Sequence, residues 1–320
     1  MKMLAAAVMV VFTSHLFAGE TSGTGRKGVY EYWRAFSDRS PFNTRIPKDA
    51  KVDPNSEKMI ESLMDGTFSS KGHLHVNIEK WSIPVYRVPE PVPTIQTIIC
   101  DSKRFSGFES VTLPVWPALR PDPNDDHHLV VLDRTNNVAW DFWGARWENG
   151  RLKTKAANKV DLSGDGLVPE GGCRLVGFAL LAGLITPEDV ASGKIDHALV
   201  FAHQYLAPSA VWPANKHARF ERRKNSIPCG GLVQLDPAVD VNALDISPVG
   251  KMIARALQEY GMYASDFADG LVIYAENPTG REVNPWPELG LDHRSAWNIP
   301  LERMRVVQPV VNGQEQKPNK

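Results

Sequence analysis

The sequence predicts a mostly β fold, a two-sheet sandwich or jelly roll with a few short helices; an α+β fold is the alternative. Three observations carry the prediction. The stretch Asp125–Trp147, DDHHLVVLDRTNNVAWDFWGARW, has the pattern of a β-hairpin. Proline and glycine, 24 of each in 320 residues, are scattered along the chain and favour many short elements joined by turns. The clearest helical spacing follows Ser247-Pro248 and is expected to cover one edge or end of the sandwich.

Taken in order, the chain begins with Lys2, an apolar run Met3–Phe12, and Ala18, which predict a signal peptide over residues 1–18. The run is too short for a membrane span. The mature protein is therefore expected to be secreted or periplasmic, with no membrane contact once the leader is removed. One β-rich domain is expected over 19–307 and a disordered tail over 308–320. Pro41–Pro47 reads as an extended strap. Asp53-Pro54 opens a short helix with Met59, Ile60 and Leu63 inward, ending at Asp65-Gly66. WSIPVYRV and TIQTIIC are strand candidates; Pro84, Pro89, Pro91 and Pro93 confine their neighbourhood to edges and loops. Pro121–Asp126 is an acidic turn.

In the hairpin, Arg134–Asn137 has turn chemistry, and a loop of two or four residues pairs Asp133 with Val138 and Val130 with Asp141. Alternation then separates a core face (Leu129, Val131, Val138, Trp140, Phe142) from a face carrying His128, Asp141 and Trp143. That second face gathers an imidazole, a carboxylate and an indole. An indole offers a flat apolar surface to a sugar ring, and the other two groups orient hydroxyls or move protons.

Past Trp147 comes a polar loop, then a Gly-rich turn around Asp161 and Asp165. The run RLVGFALLAGL, after Cys173, reads as a buried loop or one or two short turns. Thr186-Pro187 caps a short helix closed by Gly193. Ile195–Gln204 reads as a strand that places His197 and His203 on one face, too far apart to share a metal. Leu232–Leu235 is a strand. Val249, Met252, Ile253, Ala256 and Leu257 follow helical spacing, with Gly261 as terminator. Leu271–Glu276 is a final strand.

The composition is that of a globular protein, 42% hydrophobic and 23% charged. A net charge of −1 without a basic stripe argues against nucleic acid. Cys100, Cys173 and Cys229 allow one disulfide in an oxidising compartment, without choosing the pair. No Cys/His metal spacing occurs, so no metal site is assigned; a structural calcium ion in an acidic turn is the one cofactor the pattern allows. GxSxG, HExxH and GxGxxG are absent.

The segments DDHHLVVLD, VAWDFW, LLAGLITPEDVASGKIDHAL, IPCGGLVQLDPAVD and ARALQEYGMYASD span Asp125–Asp266. In them the chain resembles a group of uncharacterised secreted bacterial β-sandwich proteins that look carbohydrate-active. The resemblance implies kinship and a glycan partner but no established activity.

The expected function is polysaccharide degradation by a glycoside hydrolase with paired carboxylates, Asp141 and Asp266, with Glu276 and Asp165 as substitutes for the second. One alternative is a lyase using His128 or His197 with Tyr263 as base and acid, with Arg174 neutralising a uronate. The other is a binding protein without catalysis. Trp143, His197, Arg174 and Tyr260 complete the expected substrate-binding set.

Overall fold

The computed structural model describes residues 30–65, 72–101, 110–169, 172–217, 223–308, 310–311 and 314–315. The expected signal peptide lies outside them, as does most of the expected tail.

The chain is mostly β and sandwich-like, with three main sheets in a stack. A six-stranded mixed sheet is formed by β1 (His75–Asn77), β15 (Val272–Tyr274), β10 (Leu199–Ala202), β14 (Met262–Asp266), β13 (Leu232–Leu235) and β17 (Met304–Val307), in that order. A five-stranded sheet runs β16 (Glu276–Asn277), β2 (Ile83–Arg87), β5 (Leu129–Asp133), β6 (Val138–Trp143) and β9 (Ala156–Asp161). The third runs β4 (Ser110–Pro114), β3 (Ile95–Cys100), β8 (Arg151–Thr154) and β7 (Arg146–Glu148). Short strands β11 (Leu206–Ala210) and β12 (Ile227–Cys229) pair separately.

The hairpin β5–β6 has the expected register, Asp133 opposite Val138 and Val130 opposite Asp141. Its four-residue turn is closed by Asp133, whose carboxylate accepts from Asn136 N (2.9 Å) and Asn136 Nδ2 (2.8 Å), while Asn137 takes a left-handed φ of 56°. At the other end the ribbon bends and changes sheets. Gly144 (φ 66°) turns β6 into β7, and Lys155 N donates to Trp143 O where β8 becomes β9. The same strands thus serve two sheets, as corner strands do.

Leu129, Val131, Val138, Trp140 and Phe142 pack against Ile98, Leu113 and Leu152 of the third sheet. The opposite face is also covered. Val130, Leu132 and Ala139 share a core with the six-stranded sheet and with the turns of 173–185. This corrects the expectation of a ligand-facing hairpin surface: only its end escapes cover. The covering segment is the small-residue run noted in the sequence, and it is a buried loop without a helix. A buried loop must satisfy its own backbone polar groups. Here Val168 N donates to Gly177 O, Ala179 N to Gly166 O, Leu180 N to Asp141 Oδ2 and Ile185 N to Tyr274 O. Gly183 (φ 68°) lies against the backbone of β10, where an added Cβ would come 2.5 Å from Val200 N.

Capping chemistry sets the helices. Asp53 Oδ1 accepts from Asn55 N just before α1 (Ser56–Asp65), which buries Ile60 and Leu63. Thr186 and Asp189 form a reciprocal capping box on α2 (Pro187–Ser192), and Gly193 ends it at φ 80°. Ser247 Oγ accepts from Gly250 N at the start of α3 (Pro248–Glu259). α1 packs on the edge strand β17 and α3 on its neighbour β13. The Pro41–Pro47 strap includes a 3₁₀ turn at Pro41–Asn43 and drives Phe42 into the core. Among the described residues no helix is long and apolar enough to cross a membrane.

Candidate active site

A cleft of about 1000 Å³ opens where the ends of the six- and five-stranded sheets meet. The turn before β5 contributes Asp125, Asp126 and His128; β6 contributes Trp143. Cys173, Arg174 and Leu175, from the start of the buried loop, also line it. The segment from the end of β14 into β15 supplies Asp266, Asp269 and Tyr274, and the β1–β2 connection supplies Trp81.

Asp266 ends β14, where the register with β10 shifts between Phe201 and Ala202. Such an irregularity re-aims a side chain at the end of a strand. The carboxyl accepts from Phe267 N (2.9 Å) and more loosely from Leu175 N (3.4 Å). Burial pushes its pKa up to about 6; those two amides and Arg174 pull it down, and the charge of Asp126 adds to the rise. Asp126 comes from the other sheet and is held by the indole of Trp143, Nε1 to Oδ1 3.2 Å. Lys155 Nζ stands 5.0 Å from the centre of the Trp143 ring.

His128 is 9% exposed, and its Nε2 lies 3.0 Å from Cys173 O. A carbonyl only accepts, so Nε2 carries the proton. Burial lowers the imidazole pKa to about 4, so the ring is neutral near pH 7. Arg174 is 4% exposed, and its Nη atoms donate to Ala182 O and Leu180 O. Its guanidinium lies 5.2 Å from the centre of the Tyr274 ring.

Four of the expected site residues, His128, Trp143, Arg174 and Asp266, therefore line one cleft. The other four do not. Asp141 is wholly buried beneath the loop, with Oδ2 bonded to Leu180 N at 2.8 Å and its pKa pushed up by burial to about 7. It anchors the loop that carries Arg174. Tyr263 points into an aromatic cluster with Phe42 and Phe178, its hydroxyl 3.4 Å from Pro41 O. Tyr260 is buried at the end of α3 under the guanidinium of Arg45. His197 is buried beside Asp189 (3.4 Å) and Ala198 O (3.0 Å).

Sequence reasoning missed Trp81, which is 51% exposed in a left-handed conformation (φ 49°) at the cleft wall. A tryptophan in that region of φ/ψ space is uncommon and clusters at functional sites. It also missed Asp126, placed only in an acidic turn, and Asp269. The Gly-rich turn is a capped turn: Asp161 Oδ1 accepts from Ser163 N and Oγ, and Asp165 Oδ1 from Leu167 N. Cys100, Cys173 and Cys229 are all buried. Among the described residues no three metal-ligating side chains are gathered. No family model, curated protein or solved structure matches the chain.

Proposed function

We propose that the protein is a secreted glycoside hydrolase, with Asp266 as general acid and Asp126 as the second carboxylate. The observation that carries this reading is a carboxyl pushed up to about 6 in a large cleft, with another carboxylate supplied from the facing sheet. A glycosidase needs one carboxyl that still holds a proton near neutral pH and a second that activates water or attacks the sugar. Trp143 and Trp81 provide apolar faces for sugar rings. A lyase is less well supported: Tyr263 lies away from the cleft, and burial raises the phenol of Tyr274, which disfavours it as a base.

The test is reducing-end release on a polysaccharide panel, with glycan binding measured alongside. Asp266→Asn is expected to lower turnover by about 10²–10⁴-fold and to keep binding and fold. Wild-type turnover is expected to fall as pH rises above about 6, because the acid must be protonated. A folded Asp266→Asn variant with full turnover defeats the assignment. Binding without cleavage of any glycan makes the protein a lectin-like binder.

A further inference from the structure

Aspartates outnumber the strong cations in the lining of the cleft. Asp125, Asp126, Asp266 and Asp269 all line it, and among the described residues none of the four forms an ion pair. The bias is local, since the chain as a whole has a net charge of only −1. Two strong cations, Arg174 and Lys216, also line the cleft. The Nη atoms of Arg174 are turned to the carbonyls of Leu180 and Ala182.

His128 adds an independent acceptor. Its Nε2 proton is held by Cys173 O, so Nδ1 presents a lone pair. Nδ1 has no hydrogen-bond partner among the described residues, and the ring lines the cleft. A buried ring at a cleft wall with one nitrogen satisfied and the other unpartnered is set to receive a donor. Carboxylates and this lone pair together call for a ligand rich in N–H and O–H groups with positive charge. A polyuronate would bring like charge against the carboxylates of Asp125, Asp126 and Asp269.

We infer that the cleft takes a glycan bearing free, protonated amino groups, which Asp125, Asp126 and Asp269 bind while His128 Nδ1 accepts from a sugar hydroxyl or amine. The inference rests on the glycan reading of the same cleft and narrows it to amino sugars without N-acyl groups. Trp81, at the wall, offers the ring face on which such a sugar stacks. Acetylation of the amine would remove both the charge and donors, so the deacetylated form is the one this lining selects.

The experiment compares binding of three trimers to the whole mature protein by tryptophan fluorescence and calorimetry: glucosamine, N-acetylglucosamine and galacturonate. Binding of the glucosamine trimer is expected to be about tenfold tighter than of its acetylated counterpart, with the margin shrinking from 0.05 to 0.5 M salt (roughly the range over which screening becomes short). Asp125→Asn and Asp269→Asn, both at exposed positions, are each expected to weaken glucosamine binding about two- to fivefold and to leave N-acetylglucosamine binding unchanged. His128→Phe is expected to weaken binding of the glucosamine trimer even where melts show an intact fold. Equal affinity for the two hexosamine trimers, or tighter binding of galacturonate, overturns the inference and leaves the hydrolase reading standing. Failure to bind or cleave any glycan removes both.

Discussion

Two carboxyls that flank β15 in the chain, one buried and one half-buried, make an instructive pair. Glu276 follows β15, and Asp266 precedes it. Glu276 is 1% exposed and sits between two guanidiniums, 3.0 Å from Arg87 Nη1 and 2.6 Å from Arg281 Nε. Those same arginines also hold Glu188, at 3.0 and 2.8 Å. Burial pushes the Glu276 carboxyl up, yet the two arginines outweigh it and its pKa ends below the usual range. Asp266 has two amides and a more distant Arg174, and burial wins. Burial alone therefore does not mark a reactive carboxyl. The contrast lies in the partners: a closed ring of four charges has nothing left to offer a substrate, whereas a carboxyl without an ion pair, at the edge of a cleft, does.

The largest expected effect tests the closed ring. Arg281→Leu leaves Glu188 and Glu276 to share Arg87. Breaking a buried pair from one side is expected to cost about 3–5 kcal/mol in chemical denaturation. Turnover per folded molecule should stay near wild type. A loss of turnover at full stability would place this ring in the chemistry and erase the distinction from Asp266.

Next comes Asp141, which resembles Asp266 in its raised pKa and differs in lying under the loop, away from the cleft. A carboxyl raised in the folded state gives stability that is fully present below its unfolded value and is lost as pH rises through the folded value. For Asp141 that window runs from 3.8 to about 7, and for Asp266 from 3.8 to about 6. Asp141→Asn removes the first contribution, so the variant is expected to resist the rise in pH better than wild type, by on the order of 2–4 kcal/mol near pH 8. The amide keeps an acceptor for Leu180 N. Turnover should change less than tenfold, against the much larger loss for Asp266→Asn. Thermal melts between pH 4 and 8 beside kinetics decide it; a melt as pH-sensitive as wild type would mean that Asp141 does not titrate in that window.

The sequence carried the local devices well, because each depends on a few neighbouring residues. Ser247-Pro248, Thr186-Pro187-Glu188-Asp189 and the Asp133–Asn137 turn all form where their chemistry points. Hairpin register was legible for the same reason. What covers a strand face was not legible. Alternation put Asp141, His128 and Trp143 on one side, but no local pattern says that residues 173–185 lie over Asp141 and meet His128 only at Cys173 O. The third sheet was hidden because β6 and β9 continue through bends into β7 and β8, which read as a polar loop. Asp266 was reachable as a residue following a helix and two tyrosines. The register shift that sets it apart from Tyr263 depends on pairing with β10, so no local pattern reveals it.

The smallest expected effect concerns Tyr263, three residues before Asp266 on the same strand. Its ring packs edge-on against Phe42 at 5.6 Å, and its hydroxyl makes one long contact of 3.4 Å to Pro41 O. Phenylalanine keeps the ring packing and gives up only that contact. A weak neutral hydrogen bond contributes little net stability, so Tyr263→Phe is expected to cost less than about 1 kcal/mol. Turnover and glycan affinity should stay within about twofold of wild type. Tyr274 provides the matched control, since it lines the cleft beneath the Arg174 guanidinium, and Tyr274→Phe changes a group the ligand can touch. If Tyr263→Phe lost turnover while melting normally and Tyr274→Phe did not, the reacting groups would lie on the Pro41 side of β14. Asp266 would then join Glu276 as a carboxyl whose environment serves the fold.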